Sequence, residues 1–97
     1  MLSPAEREAA ERFLARGEQE IEKGQIAVAR QFFLRAAQAG LARGALLLAA
    51  TYDPRELARW HVQGVQPSLE EARRWYERAR ELGAPEAEER LARLGAG

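Results

Sequence analysis

Residues 70–83 read EEARRWYERARELG, and residues 27–40, which lie 43 positions earlier, read AVARQFFLRAAQAG. The two stretches share small residues, a pair of aromatic residues and a final glycine in one register. The matched pairs are Ala29 with Ala72, Arg30 with Arg73, Phe32 with Trp75, Phe33 with Tyr76, Arg35 with Arg78, Ala36 with Ala79 and Gly40 with Gly83. Alanines let two helices approach closely, and aromatic rings fill the space beside them. The pattern predicts two copies of one helical unit, each ended by a glycine.

The sequence around these two stretches also predicts helices. We expect helices over residues 4–23, 26–39, 42–52, 69–82 and 85–94, with a short extra turn at 54–60. Ser3 with Glu6, and Ser68 with Glu71, have the spacing of a capping box at a helix start. Because β-branched residues are scarce, the sequence predicts an all-α fold of about five to six helices.

The spacing of the helices divides the chain into stacked antiparallel pairs within a single domain, residues 1–97. Residues 1–40 form the first pair, residues 41–83 the second pair with an insertion at 53–67, and residues 84–97 a trailing half-repeat that caps the stack. The run Leu46-Leu47-Leu48 covers about 200° of a helix, so at least two faces of that helix are apolar. We therefore expect this helix to lie between two neighbours or to line a groove.

The composition excludes several classes of function. Hydrophobic residues make up 46% of the chain and charged residues 31%, which is typical of a globular protein and too charged for a membrane span. Fifteen basic residues balance fifteen acidic ones, which argues against nucleic acid as a partner. The chain has no cysteine, and His61 is its one histidine. We therefore expect no metal, no cofactor and no catalytic residue.

The N-terminal sequence carries charges from Glu6 onward and has no apolar stretch of signal-peptide length. We therefore expect a cytoplasmic protein. Lys23 is the single lysine among the fifteen basic residues, which is typical of a GC-rich bacterial gene.

The second half of the chain resembles the Sel-one-like repeats, a subfamily of the tetratricopeptide repeat proteins. The residues that match the family pattern are Leu48, Ala49 and Tyr52, then Gly64 and Val65, then Ala72, Trp75, Tyr76, Ala79 and Gly83. The resemblance implies a short right-handed superhelix of helix pairs whose concave face binds other proteins. By the spacing of the family, the partner-binding positions are Leu14, Glu18, Arg43, Leu46, Leu47, Ala50, Glu89, Arg90 and Arg93.

These features predict a non-enzymatic protein–protein interaction module, or adaptor, that binds a peptide or helix of another protein. Leu46 and Leu47 beside Arg43 suit a partner with hydrophobic and acidic residues. One alternative is that both leucines are buried within the domain. A second alternative is an obligate homo-oligomer, because two and a half repeats bury little core. A small enzyme or metal-dependent regulator is the third alternative, which the composition disfavours.

Overall fold

The computed structural model describes residues 2–96, and all regular structure in that range is helical. Its six helices are α1 (Pro4–Glu22), α2 (Ile26–Gln38), α3 (Ala42–Ala50), α4 (Pro54–Arg59), α5 (Leu69–Glu81) and α6 (Ala87–Ala96). The predicted all-α fold of five to six helices is confirmed. The short turn expected at 54–60 is α4, and the last helix begins at Ala87 rather than at Pro85.

The two matched stretches of the sequence lie in helices of equal length. Helices α2 and α5 are each 13 residues long, and their first residues are 43 positions apart. The alanines and the second aromatic residue of the matched pairs are fully buried in both helices: Ala29, Phe33 and Ala36 in α2, and Ala72, Tyr76 and Ala79 in α5. The two helices therefore present the same face to the interior.

Both helices end in the same kind of turn. Gly40 and Gly83 have φ values of 97° and 101°, in the left-handed region that favours glycine. The N–H of the residue after each glycine donates to a carbonyl five residues earlier, from Leu41 to Ala36 at 3.1 Å and from Ala84 to Ala79 at 2.9 Å. This is the hydrogen-bond pattern of a Schellman motif, and it sets the direction in which α3 and α6 leave their turns.

Helix α3 packs between α2 and α5 and contributes to two hydrophobic clusters. Leu48 belongs to a cluster with α1 and α2, whereas Leu46 belongs to a cluster with α5 and α6. Leu47 lies between them and is half-buried. The leucine run therefore has the arrangement that its width predicts, with one leucine directed to each neighbour and one left at the surface.

Not every apolar residue of α1 and α5 enters the core. In α1, Ala5 is exposed, whereas the buried residues are Ala10, Leu14, Gly17 and Glu20. In α5, Leu69 is 50% exposed and Trp75 is only partly buried. An apolar side chain can occupy the edge of a helix face without entering the core, so Tyr76 alone fills the central position of α5.

The predicted capping boxes form to different extents. At α1 the Glu6 amide donates to Ser3 Oγ at 3.1 Å, and the Ser3 amide donates to Glu6 Oε1 at 2.8 Å. These hydrogen bonds hold the pKa of Glu6 below its usual value. At α5 the Glu71 amide donates to Ser68 Oγ at 3.1 Å, but the Glu71 carboxylate pairs with Arg74 instead of returning to Ser68. The second box is therefore half formed.

Candidate partner-binding groove

An open groove of about 360 Å³ lies on the face of the domain where α1, α3, α4 and α6 converge. We call it the α1–α6 groove. The residues that line it are Glu18, Ile21, Glu22, Phe33, Arg43, Leu46, Leu47, Glu56, Arg59, Trp60 and Arg90. Its volume is at the lower end of the range for ligand sites. It can therefore take one or a few side chains of an occupant.

The floor of the α1–α6 groove is apolar. Leu47 from α3 and Ile21 from α1 are half-buried, and Trp60 at the end of α4 is also only partly covered. Phe33 lies beneath them with no exposed surface. An occupant that covers Leu47 and Trp60 would remove apolar surface from water, which is the main source of binding free energy at such sites.

The charged groups of the groove are three glutamates and three arginines. Arg43 Nη2 lies 3.6 Å from Glu18 Oε2, and both side chains are about half exposed. Arg59 Nη2 donates to Glu56 Oε1 at 2.6 Å, and the Glu56 side chain is almost fully buried. The hydrogen bond to Glu56 raises the pKa of Arg59 above its usual value. These two pairs neutralise much of the charge along the groove.

The wall formed by α4 is anchored from below by Asp53, which is 3% exposed. Its Oδ1 accepts from the Arg55 amide at 2.9 Å and caps α4. Its Oδ2 accepts from the Tyr76 hydroxyl at 2.7 Å, which ties the start of α4 to the centre of α5. Burial raises the pKa of Tyr76 far above its usual value of 10.0, and the hydrogen bond to Asp53 raises it further. Tyr76 is therefore a neutral donor at physiological pH.

No family model, curated protein or solved structure matches this chain. The resemblance to Sel-one-like repeats thus stays a prediction from the sequence.

Five of the nine predicted partner-binding residues line this groove: Glu18, Arg43, Leu46, Leu47 and Arg90. They come from α1, α3 and α6, which the sequence separates by up to 72 positions. Leu46 is only 2% exposed, so it supports the floor and offers almost no surface of its own. Of the two leucines considered for the groove, the structure therefore leaves Leu47 as the accessible one.

The other four predicted residues lie outside the groove. Leu14 is packed in the cluster between α1 and α2, and Ala50 is completely buried. This corrects their placement on the open surface, because a buried side chain offers nothing for a partner to touch. Glu89 and Arg93 are exposed on α6 and pair with each other, with Arg93 Nη2 at 2.9 Å from Glu89 Oε1.

The repeat pattern missed the contribution of the insertion. Glu56, Arg59 and Trp60 line the groove from α4, which has no counterpart in the aligned repeats. A helical spacing of three between Glu56 and Arg59 predicts an ion pair, and a tryptophan in an insertion is a common feature of binding surfaces. Those two signals were available in the sequence, but only the fold shows that α4 turns toward α1.

A smaller apolar pocket of about 240 Å³ adjoins the α1–α6 groove at the turn between α5 and α6. It shares Arg43 and Leu46 with the groove, and Ala84 and Pro85 are among its other lining residues.

Within residues 2–96, no group of three or more His, Cys, Asp or Glu residues could hold a metal ion. His61 is exposed and has a φ of 59°, at the turn that follows α4. No helix in the described range has the length and apolar character that crossing a membrane requires.

Proposed function

We propose that this chain is a non-enzymatic protein–protein interaction module that binds a segment of a partner protein in the α1–α6 groove. The observation that carries the proposal is the half-buried Leu47 on an open apolar floor, between helices that come from both repeat units. Surfaces of this kind bind peptides through a few apolar anchors surrounded by charged residues. The segment would be extended or helical and would present an apolar side chain to Leu47 and Trp60.

The proposed family is the Sel-one-like repeat subfamily. Support comes from the equal lengths of α2 and α5, their separation of 43 residues and their matching buried positions. In a stack of helix pairs the first helix of each pair faces the concave side. The proposed groove is lined by α1, α3 and α6, which are the first helices of the successive units.

A peptide is a better fit to the groove than a small metabolite. The groove is open to solvent, and it shares Arg43 and Leu46 with the apolar pocket beside Ala84 and Pro85. Small-molecule sites are usually deep enough to enclose most of their ligand, whereas a segment of chain needs a surface that it can enter and leave. An occupant several residues long could reach both cavities.

The test uses a display library of random twelve-residue peptides selected against the purified domain. We expect enriched peptides whose binding is abolished by Leu47→Asp, because a carboxylate on the floor repels an apolar anchor. The matched control is Leu69→Asp, the same change at a side chain that is 50% exposed and lies outside the groove. Circular dichroism on the same samples should show nearly unchanged helicity.

Because Leu47 is half-buried, Trp60→Ala provides a second variant at the end of α4. We expect it to weaken binding of the same peptides without unfolding the domain. Enriched peptides that bind both variants as well as wild type would place the interaction elsewhere and overturn the proposal. A dimer of the free protein at micromolar concentration that Leu47→Asp converts to a monomer would identify a second copy as the occupant, and would also overturn it.

A further inference from the structure

The three arginines that line the α1–α6 groove differ in their partners. Arg43 pairs with Glu18 at 3.6 Å, and Arg59 pairs with Glu56 at 2.6 Å. Arg90, from α6, forms no salt bridge with any side chain in residues 2–95, and its Nη1 is buried without a hydrogen-bond acceptor. The groove therefore contains one arginine that has no ion-pair partner among the described residues.

Arg90 is held in place by its surroundings. Its Cζ lies 5.9 Å from the centre of the Tyr76 ring, in the range of a cation–π contact. The Tyr76 hydroxyl is already donating to Asp53, so the ring is fixed beneath the guanidinium. A side chain that is positioned before binding loses less conformational entropy when a ligand arrives.

A buried donor without an acceptor is unfavourable in the free protein. Residue Arg90 is nevertheless only partly buried, and it borders the groove. A carboxylate that enters the groove supplies a counter-charge to Arg90, which lines the groove and forms no salt bridge within the described residues. The planar guanidinium suits a carboxylate better than other acceptors, because it can form two parallel hydrogen bonds with it.

We propose that Arg90 binds the carboxylate of an acidic side chain in the segment that occupies the groove, next to the apolar side chain that covers Leu47. This inference rests on the proposed function and adds the chemistry of the occupant. It also moves the acidic contact from Arg43, where the sequence placed it, to Arg90, because Glu18 already neutralises Arg43. The partner segment therefore carries Asp or Glu beside a hydrophobic residue.

The experiment begins with the peptides selected from the random display library. They are resynthesised with an acetylated N-terminus and an amidated C-terminus, so that every carboxylate belongs to a side chain. Affinity is measured for wild type and Arg90→Gln, with each peptide and with its Glu→Gln or Asp→Asn form. We expect each single change to weaken binding by about ten- to a hundredfold, and the second change to add little once the first is made.

The matched control is Arg93→Gln, at an exposed arginine on the same helix that already pairs with Glu89. We expect it to leave the affinity within about twofold of wild type. Arg90→Lys keeps the charge but loses the planar fork, so we expect intermediate affinity. If Arg90→Gln fails to fold, the peptide-side changes against wild type still measure the contribution of the carboxylate.

The outcomes separate this inference from the proposed function. Peptides that require Leu47 but contain no acidic residue, or that bind Arg90→Gln as well as wild type, would overturn the role of Arg90 and leave the groove proposal standing. If no selected peptide depends on Leu47, both proposals fail. Enriched acidic peptides with coupled effects of Arg90→Gln and Glu→Gln would support both.

Discussion

Helices α2 and α5 contain the two matched stretches of the sequence, but their central aromatic residues have different surroundings. The Phe33 ring in α2 packs so closely against Gly17 of α1 that a Cβ at Gly17 would overlap it. The Tyr76 ring in α5 is equally buried, but its hydroxyl donates to the buried Asp53 at 2.7 Å. Phe33 is therefore fixed by contact of its ring with a glycine, and Tyr76 by a hydrogen bond.

This difference coincides with a difference in the connections between the helices. Three residues connect α1 to α2, whereas α4 and an irregular segment lie between α3 and α5. Asp53 begins that longer connection, and Tyr76 holds it against α5. The extra oxygen of tyrosine thus fixes the helix that forms one wall of the α1–α6 groove.

The largest effect should come from removing the ring in the first unit. We expect Phe33→Ala to lower the free energy of unfolding by about 3–5 kcal/mol, because the ring is completely buried and its space cannot be filled by neighbours. Trp75→Ala should cost less, about 2 kcal/mol, because the indole is only partly buried where it packs against the two hydrophobic clusters. Urea unfolding followed by circular dichroism measures both. Equal losses of unfolding free energy in Phe33→Ala and Trp75→Ala would contradict this difference in burial.

The sequence predicts the helical positions of the repeat well, because burial of Phe33 and the alanines follows a simple period. It does not distinguish Trp75 from Tyr76, since both lie on the apolar side of α5. The choice between them depends on the hydroxyl and its partner Asp53, which is 23 residues away in an insertion. A contact of that kind is set by tertiary structure, and helical periodicity carries no information about it.

The second-largest loss of stability should come from removing the Tyr76 hydroxyl. We expect Tyr76→Phe to lower the free energy of unfolding by about 1–3 kcal/mol, because it leaves a buried carboxylate oxygen without its donor. The reverse change in the first unit, Phe33→Tyr, should also destabilise, because a hydroxyl would be added to a ring packed against Gly17. Thermal melts of the two variants give the comparison. If Tyr76→Phe left the free energy of unfolding unchanged, the hydrogen bond between Tyr76 and Asp53 would contribute nothing to stability.

The Tyr76 hydroxyl should also make the stability of the folded protein depend on pH in the alkaline range. In the folded state the pKa of Tyr76 is raised far above 10.0, so the folded protein keeps this proton while the unfolded chain releases it near its usual pKa. The stability contributed by this group is therefore complete below about pH 9 and falls above about pH 10, by at most about 1.4 kcal/mol per pH unit.

The measurement is the difference in unfolding free energy between wild type and Tyr76→Phe at several pH values from about 8 to about 11. All other titratable groups are common to both proteins, so the difference isolates Tyr76. We expect the advantage of wild type to narrow as the pH rises. A constant difference across that range would contradict the raised pKa.

The groove could be predicted from the sequence only in part. Glu18, Arg43, Leu47 and Arg90 are among the positions that the resemblance to Sel-one-like repeats implies, and all four line the groove. Trp60 does not, because α4 lies outside the repeat. The ion pairs also could not be assigned in advance, since Glu18 and Arg43 are on different helices and their 3.6 Å contact requires the fold.

The smallest effect should come from the ion pair that joins the two units across the groove. Glu18 and Arg43 are both about half exposed, so their pair contributes little to stability. We expect Arg43→Glu to change the free energy of unfolding by less than about 1 kcal/mol, well below the cost of breaking the buried Tyr76–Asp53 contact.

The effect of Arg43→Glu on peptide binding should be different, because the substitution places a second negative charge beside Glu18 at the groove. Association with acidic peptides should slow at low ionic strength and recover toward wild type as salt screens the repulsion. Arg93→Glu, on the outer side of the same surface, is the control. A loss of affinity that persisted at high salt would mean that Arg43 contacts the peptide directly, and Arg90 would then not be the principal site for its carboxylate.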